Sequence, residues 1–374
     1  MIMSNFHFFC KTFHIKLFSL VITLALTNDI CVAQKDFEVD GTLFSRSFKT
    51  QVDHELAVKM LTNRQDSSVV NLFSNYQNTE LNDDLLKSIT NQYSLDVSTL
   101  FLIEKLYEQE NNKQLQDFYL SATDTLSPSY LGHDFSFLQD YFVLFVPAFN
   151  YESNAGNFWE QRVLLNAAKI PNDIVKTQQW GLVEENANLI VEQIQDISQR
   201  HQNIIVVSVS KGGLEAAIAL EKLTDLDALS SVKAWINASG ILKGSPAADH
   251  WLKPSKKIWL RLGLFFSGKW KVPLNQLLND LSYNKRKQNT QELSIPTSIY
   301  TINLIAGKLK TKKDRSDIIL PSDGYSPILD EIVKHGDVVF EMTADHTFEG
   351  VDLNVRMIAL LQYTVNQLSE NTAE

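Results

Sequence analysis

Residues 204–220 read IIVVSVSKGGLEAAIAL. An apolar run of strand length ends in Ser-Val-Ser-Lys-Gly-Gly, and apolar residues then resume at helical spacing. A serine at such a turn can be a nucleophile. The turn lifts its hydroxyl off the sheet edge, and the amides opening the helix lie close to it, with the Lys211 N–H as an oxyanion donor. The pattern needs small flanking residues because the backbone is strained and its neighbours pack tightly. Gly212 and Gly213 supply them, and Ser208 stands where G-x-S-x-G has its first glycine. A phosphate loop requires G-x-x-x-x-G-K-[ST], whereas Lys211 precedes its glycines here. An ordinary structural turn is the plainer alternative. Nucleophile is the reading adopted for Ser210.

Serine needs a base, and the base needs an acid to orient it. The expected chain order is serine, acid, histidine. LPSDGYSP follows the apolar segment SIYTINLIAG and places Asp323 in a post-strand turn. TADHTFEG follows DVVFEM and places His346 in the next one. Asp-Gly is a common turn without chemistry, and a lone loop histidine is often only a surface group. Order and strand placement together favour Asp323 and His346. Asp249 is the rival acid, and His250 and His335 are rival bases. The second oxyanion donor is expected after YFVLFVP, in AFNYESNAG: Phe149 N–H first, with Ala148 and Asn150 as neighbours.

These groups converge only if several elements position them. From about residue 138, strand-like and helix-like segments alternate. YFVLFVP, NDIVK, IIVVSV, VKAWINA, SIYTINLIAG and DVVFEMTA read as strands. FWEQRVLLNAAKI, LVEENANLIVEQIQDISQ, LEAAIALEKL, YSPILDEIVKHG and VDLNVRMIALLQYTVNQL read as helices. Such alternation predicts an α/β fold, a mainly parallel sheet with helices on both faces and ligands at the strands' carboxyl ends. Residues 34–128 differ. They are polar, rich in Gln and Asn, and predict a mostly helical N-terminal region, with FEVDGTLFSRSF as edge strands. TDTLSPSYLG reads as a linker to a domain over 129–374.

On SVSKGG (208–213), INASGILKGSPAADHWL (236–252), SDG (322–324) and ADH (344–346), the chain resembles the α/β-hydrolase superfamily, its lipase-like or esterase-like members most closely. The resemblance covers roughly residues 138–370. It implies the α/β-hydrolase fold and a cofactor-free mechanism. Ser210 would attack an acyl carbonyl, His346 would shuttle the proton and Asp323 would orient His346. Ser208 in place of the first glycine is the departure from the family pattern.

The whole chain bounds the partners. It carries a formal net charge of −10 over 374 residues, which argues against a nucleic-acid partner. Residues 1–33 read as a signal peptide: Lys11 and Lys16, the apolar LFSLVITLAL, then Ala33 for cleavage. Export to a periplasm or the exterior is therefore expected. Both cysteines, Cys10 and Cys31, lie in that segment, so a mature chain has neither a disulfide nor a thiol nucleophile. No H-E-x-x-H spacing points to a catalytic metal and no cofactor is expected, while the scattered histidines leave a structural ion open.

Residues 251–271, WLKPSKKIWLRLGLFFSGKWK, carry six basic and no acidic residues, interleaved with Trp251, Trp259, Phe265, Phe266 and Trp270. The stretch opens a candidate cap insertion over 251–295. One reading is a cap that touches an acyl chain or, transiently, an anionic membrane surface. The simpler and slightly favoured reading packs the aromatics on the domain core under solvated lysines. KLKTKKDR (308–315) reads as a solvated loop.

Taken together, the sequence predicts an exported serine hydrolase of carboxylic esters acting on a small-molecule or lipid substrate. The alternatives are a non-catalytic binding protein on the same fold, or a thioesterase or amidase using the same three residues. Chain length and composition leave the oligomeric state open.

Overall fold

The computed structural model describes residues 36–126, 134–153, 155–288, 293–307, 309 and 319–371. The signal segment, most of the expected linker and nearly all of KLKTKKDR lie outside them. Among the described residues, no helix is long and apolar enough to cross a membrane.

Six strands form one parallel sheet in the order β4-β3-β5-β6-β7-β8. They are β3 (Phe142–Val146), β4 (Asn172–Ile174), β5 (Ile204–Val209), β6 (Val232–Ala238), β7 (Tyr300–Ala306) and β8 (Asp337–Glu341). Their near-continuous apolar sequences are those of strands covered on both faces. Alternate residues go opposite ways, as the two-residue period demands. Val143, Phe145, Ile205, Val207 and Ile236 join one core with α6 (Trp159–Ala167) and α13 (Leu353–Asn371). Leu144, Val146, Ile204, Val206 and Trp235 join another with α7 (Val183–Ser198) and α8 (Lys211–Lys222). This is the α/β fold that the sequence predicts.

The expected helix over 325–336 does not form. Only a single 3-10 turn, Ile328–Asp330, appears there. Pro327 disfavours helical backbone at Ser326. The amides of Tyr325 and Ser326 are taken by the Asp323 carboxylate, and Ile328 N–H reaches Pro321 O at 2.9 Å. The segment is committed to closing a loop.

The N-terminal region packs against one end of the sheet. It opens with the hairpin β1 (Phe37–Leu43) and β2 (Arg46–Val52), then runs through α1 (Glu55–Thr62), α2 (Ser67–Asn75), α3 (Asp83–Gln92), α4 (Leu95–Tyr107) and α5 (Glu110–Thr125). Phe44, Leu100 and Phe101 share one hydrophobic cluster with Ile305, Ile328, Val338 and Phe340. Residues 36–126 thus cover the β7–β8 end of the sheet. Along β8, Asn112 Oδ1 accepts from Val338 N–H at 2.7 Å and Gln116 Oε1 from Phe340 N–H at 2.8 Å. Spaced four apart on α5, both amides face the same strand.

Between β6 and β7 lie α9 (Pro246–Leu252), α10 (Pro254–Phe266), α11 (Leu274–Asp280) and α12 (Tyr283–Gln288). The favoured reading of 251–271 holds for Trp251, which packs on the core, but not for the aromatics that follow it. On α10, Leu264 is buried and Leu260 partly so. Trp259, Phe265, Phe266 and the following Trp270 are exposed.

Candidate active site

Ser210 ends β5 and opens α8 with φ 56° and ψ −122°. A non-glycine residue here carries strain on the order of 1–3 kcal/mol and is held only by its surroundings. Those are Ala238 O, which accepts its N–H at 3.1 Å, and the amides of Gly213 and Ile241, which donate to its carbonyl at 3.0 and 3.2 Å.

Both flanking glycines are required. A Cβ on Gly212 would lie 2.4 Å from Pro147 O, and one on Gly213 would lie 2.5 Å from Asn237 Oδ1. Helix α8 therefore starts directly against the ends of β3 and β6. Ser208, at the missing-glycine position, is fully buried, and its Oγ accepts from Trp235 Nε1 at 2.8 Å. The hydroxyl that departs from the family pattern satisfies an indole that would otherwise be buried without an acceptor.

His346 lies in the loop after β8. Its Nε2 is 2.8 Å from Ser210 Oγ, and its Nδ1 bonds Asp323 Oδ2. The buried Asp323 carboxylate is otherwise engaged by the Tyr325 and Ser326 amides at 2.8 and 3.0 Å. Burial would raise its pKa. The adjacent imidazole, through charge and hydrogen bond, and the two amides outweigh burial and hold the group below the ordinary carboxylate range. In the tautomer suited to base catalysis, Nδ1–H donates to Asp323 and the Nε2 lone pair faces the serine hydroxyl.

The structure brings together Ser210, Asp323 and His346, whereas the rivals stand apart. Asp249 accepts from Ser282 Oγ and, at 3.1 Å, from Asn284 N–H. His250 sits beside it on α9, and His335 precedes the amino end of β8. Asp345 shapes the histidine loop by accepting from Thr347 N–H and Oγ1–H at 3.0 and 2.6 Å.

Lys211 begins α8, so its N–H is an intrahelical orphan adjoining the serine. Of the loop amides, Ala148 N–H is spent on Gly156 O at 3.1 Å. Asn150 is left-handed at φ 52°. Phe149 packs edge-on against Trp180, with ring centroids 4.6 Å apart. The Lys211 ammonium pairs with Glu215 inside the protein, and Glu215 Oε1 also accepts from Asn186 Nδ2 at 2.7 Å. Burial pushes the Glu215 carboxyl up, opposed by Lys211.

Several supporting residues had no clear sequence signal. The Tyr325 ring stacks on His346 at 4.5 Å, and Ser245 of the Gly-Ser-Pro turn donates to Tyr325 O at 2.5 Å. The Asp-Gly turn could have flagged the first of these, since Asp commonly binds amides two residues on. Nothing pointed to Glu331. It is fully buried, and its carboxylate lies within 4.8 Å of the Asp323 and His346 ligand-type atoms. These three form the one cluster of metal-ligating type among the described residues. Both imidazole nitrogens in it already face Asp323 or Ser210.

A parallel sheet flanked by helices, a strained serine at a strand-to-helix turn, and an acid and a histidine in the loops after β7 and β8 define a site at the carboxyl edge of an α/β fold. No family model and no curated protein matches the chain. Among solved structures it is similar to a metagenomic carboxyl esterase: 18% identity, TM-score 0.47, covering 65% of this chain and 80% of that one. It is also similar to a mature lipase of Bacillus licheniformis: 15% identity, TM-score 0.43, covering 60% and 91%. A third is the RedJ thioesterase of Streptomyces coelicolor: 13% identity, TM-score 0.40, covering 64% and 96%.

Proposed function

We infer that the chain is a serine hydrolase that cleaves carboxylic esters through an acyl-enzyme. One observation carries the reading: the 2.8 Å contact between Ser210 Oγ and His346 Nε2, with the ring anchored from behind by a buried carboxylate. Ser210 Oγ attacks the acyl carbonyl as His346 Nε2 removes its proton, and the imidazolium is stabilised by Asp323. The Lys211 and Phe149 amides receive the oxyanion. Collapse breaks the ester C–O bond, and the leaving alcohol takes the proton from His346. Water, deprotonated by the same nitrogen, then releases the acid and restores Ser210. No step calls for a cofactor. Export directed by residues 1–33 completes the proposal, since that segment reads as cleavable.

Fluorophosphonate labelling of wild type and Ser210→Ala tests the nucleophile. Labelling confined to wild type is expected, and equal labelling of both would overturn the assignment. A p-nitrophenyl ester series tests the bond type, with Ser210→Ala at least about 10³-fold slower. Turnover of matched thioesters or amides but not oxygen esters would move the protein to another hydrolase class.

A further inference from the structure

Half of the large exposed hydrophobics among the described residues lie in one 13-residue stretch: Ile258, Trp259, Leu262, Phe265, Phe266 and Trp270, each 43–69% exposed. On α10 the first five fall at helical spacing, on the side away from buried Leu264. The helix therefore has two apolar faces, one serving the core and one turned to solvent. A contiguous exposed patch of this kind marks an interaction surface. An open groove of 440 Å³ runs along it, with Arg261 among walls that include Leu262, Phe265 and Trp270.

Charge identifies the occupant. Against a chain of net −10, residues 251–271 carry six basic side chains and no acidic one; of the six, Lys269 is turned inward to Asn150 and the Trp180 ring. Projecting aromatics among lysines suit a fluid anionic interface, where rings enter the headgroup level and ammonium groups meet lipid phosphates. We propose that α10 and the turn through Trp270 dock the protein on anionic phospholipid bilayers. The buried side of α10 and the turn after it pack on the elements that carry the site. Leu264 shares a hydrophobic cluster with Leu214 of α8 and with Phe149, and Lys269 Nζ donates to Asn150 Oδ1 at 3.1 Å. Docking would bring the site to membrane-resident esters; that consequence rests on the hydrolase reading, whereas docking itself does not.

The test is flotation of full-length Ser210→Ala protein, which leaves lipid intact, with two kinds of vesicle. One is phosphatidylcholine alone, and the other contains about one-third phosphatidylglycerol. Binding at least about tenfold tighter to the anionic vesicles is expected, weakened by high salt and accompanied by a blue shift of tryptophan emission. Phe265→Ser/Phe266→Ser, two exposed changes, should lower binding about tenfold with unchanged melting. The proposal is overturned by equal or absent binding to the two vesicle types, or by binding indifferent to the double substitution. A lipid-free dimer abolished by that substitution would also overturn it, as it would assign the face to a second copy. Hydrolysis of a soluble p-nitrophenyl ester by wild type without vesicles reads the catalytic proposal separately.

Discussion

The Gln116 side chain pairs with β8 as a further strand would: its Oε1 accepts the Phe340 N–H at 2.8 Å and its Nε2 donates to the Phe340 carbonyl at 3.1 Å. Edge strands expose unpaired backbone groups that invite aggregation. Here a buried amide on α5 closes the edge, and Tyr119 OH continues the seam to Glu341 Oε2 at 2.9 Å. The polar N-terminal region is thereby bound to the strand that delivers His346.

Gln116→Leu leaves the buried N–H and C=O of Phe340 without these partners. Each orphaned group costs about 1–3 kcal/mol, so a loss of roughly 2–6 kcal/mol in unfolding free energy is expected from denaturant titration. A change below about 0.5 kcal/mol would mean the seam is not needed.

Gly212→Ala should be worse tolerated than Ser208→Gly. Its Cβ would meet a backbone carbonyl, not a side chain able to rotate away. We expect a cost above about 2 kcal/mol, together with displacement of the Lys211 amide and loss of ester hydrolysis. Ser208→Gly restores the usual motif but deprives Trp235 Nε1 of its acceptor. It should lose about 1–2 kcal/mol while keeping fluorophosphonate labelling.

Asp323→Ala should slow hydrolysis by about 10³–10⁴-fold, because the imidazole loses its orienting acid. Glu331 lies within 4.8 Å of the same cluster and is the carboxylate left beside the ring once Asp323 is removed. The double variant Asp323→Ala/Glu331→Gln should therefore be slower than Asp323→Ala alone. Equal kcat values for the two would show that Glu331 gives no support.

Glu104 should make stability fall between about pH 4.5 and about pH 7. Burial raises Glu104 from an ordinary value of 4.5 to about 7, partly offset by Arg64 at 3.2 Å, with Glu108 adding to the rise. Between those values the unfolded chain has released a proton that the folded one retains, so unfolding becomes easier as pH rises. The contribution is full below pH 4.5 and is lost through about pH 7, amounting to about 2–3 kcal/mol. Glu104→Gln should flatten this slope in urea titrations at graded pH.

What the sequence determined by itself is what short-range sterics and periodicity control. The apolar runs at 142–146 and 204–209 read as covered strands by length and by their alternation with helical segments, and paired glycines after Ser210 fitted a tight strand-to-helix turn. Chain order then put Asp323 and His346 on the following strand ends. The tertiary structure decided what depends on residues far apart in the chain. Asp323 and Asp249 look alike locally, and only packing gives one to His346 and the other to Ser282. The helical pattern at 325–336 yields because an acid elsewhere in its own loop claims the amides. Glu331 enters the site, and Gln116 meets Phe340 across 224 residues, without a local signature. Likewise, spacing could mark α10 as apolar on two sides, but only the folded chain shows which side the core left uncovered.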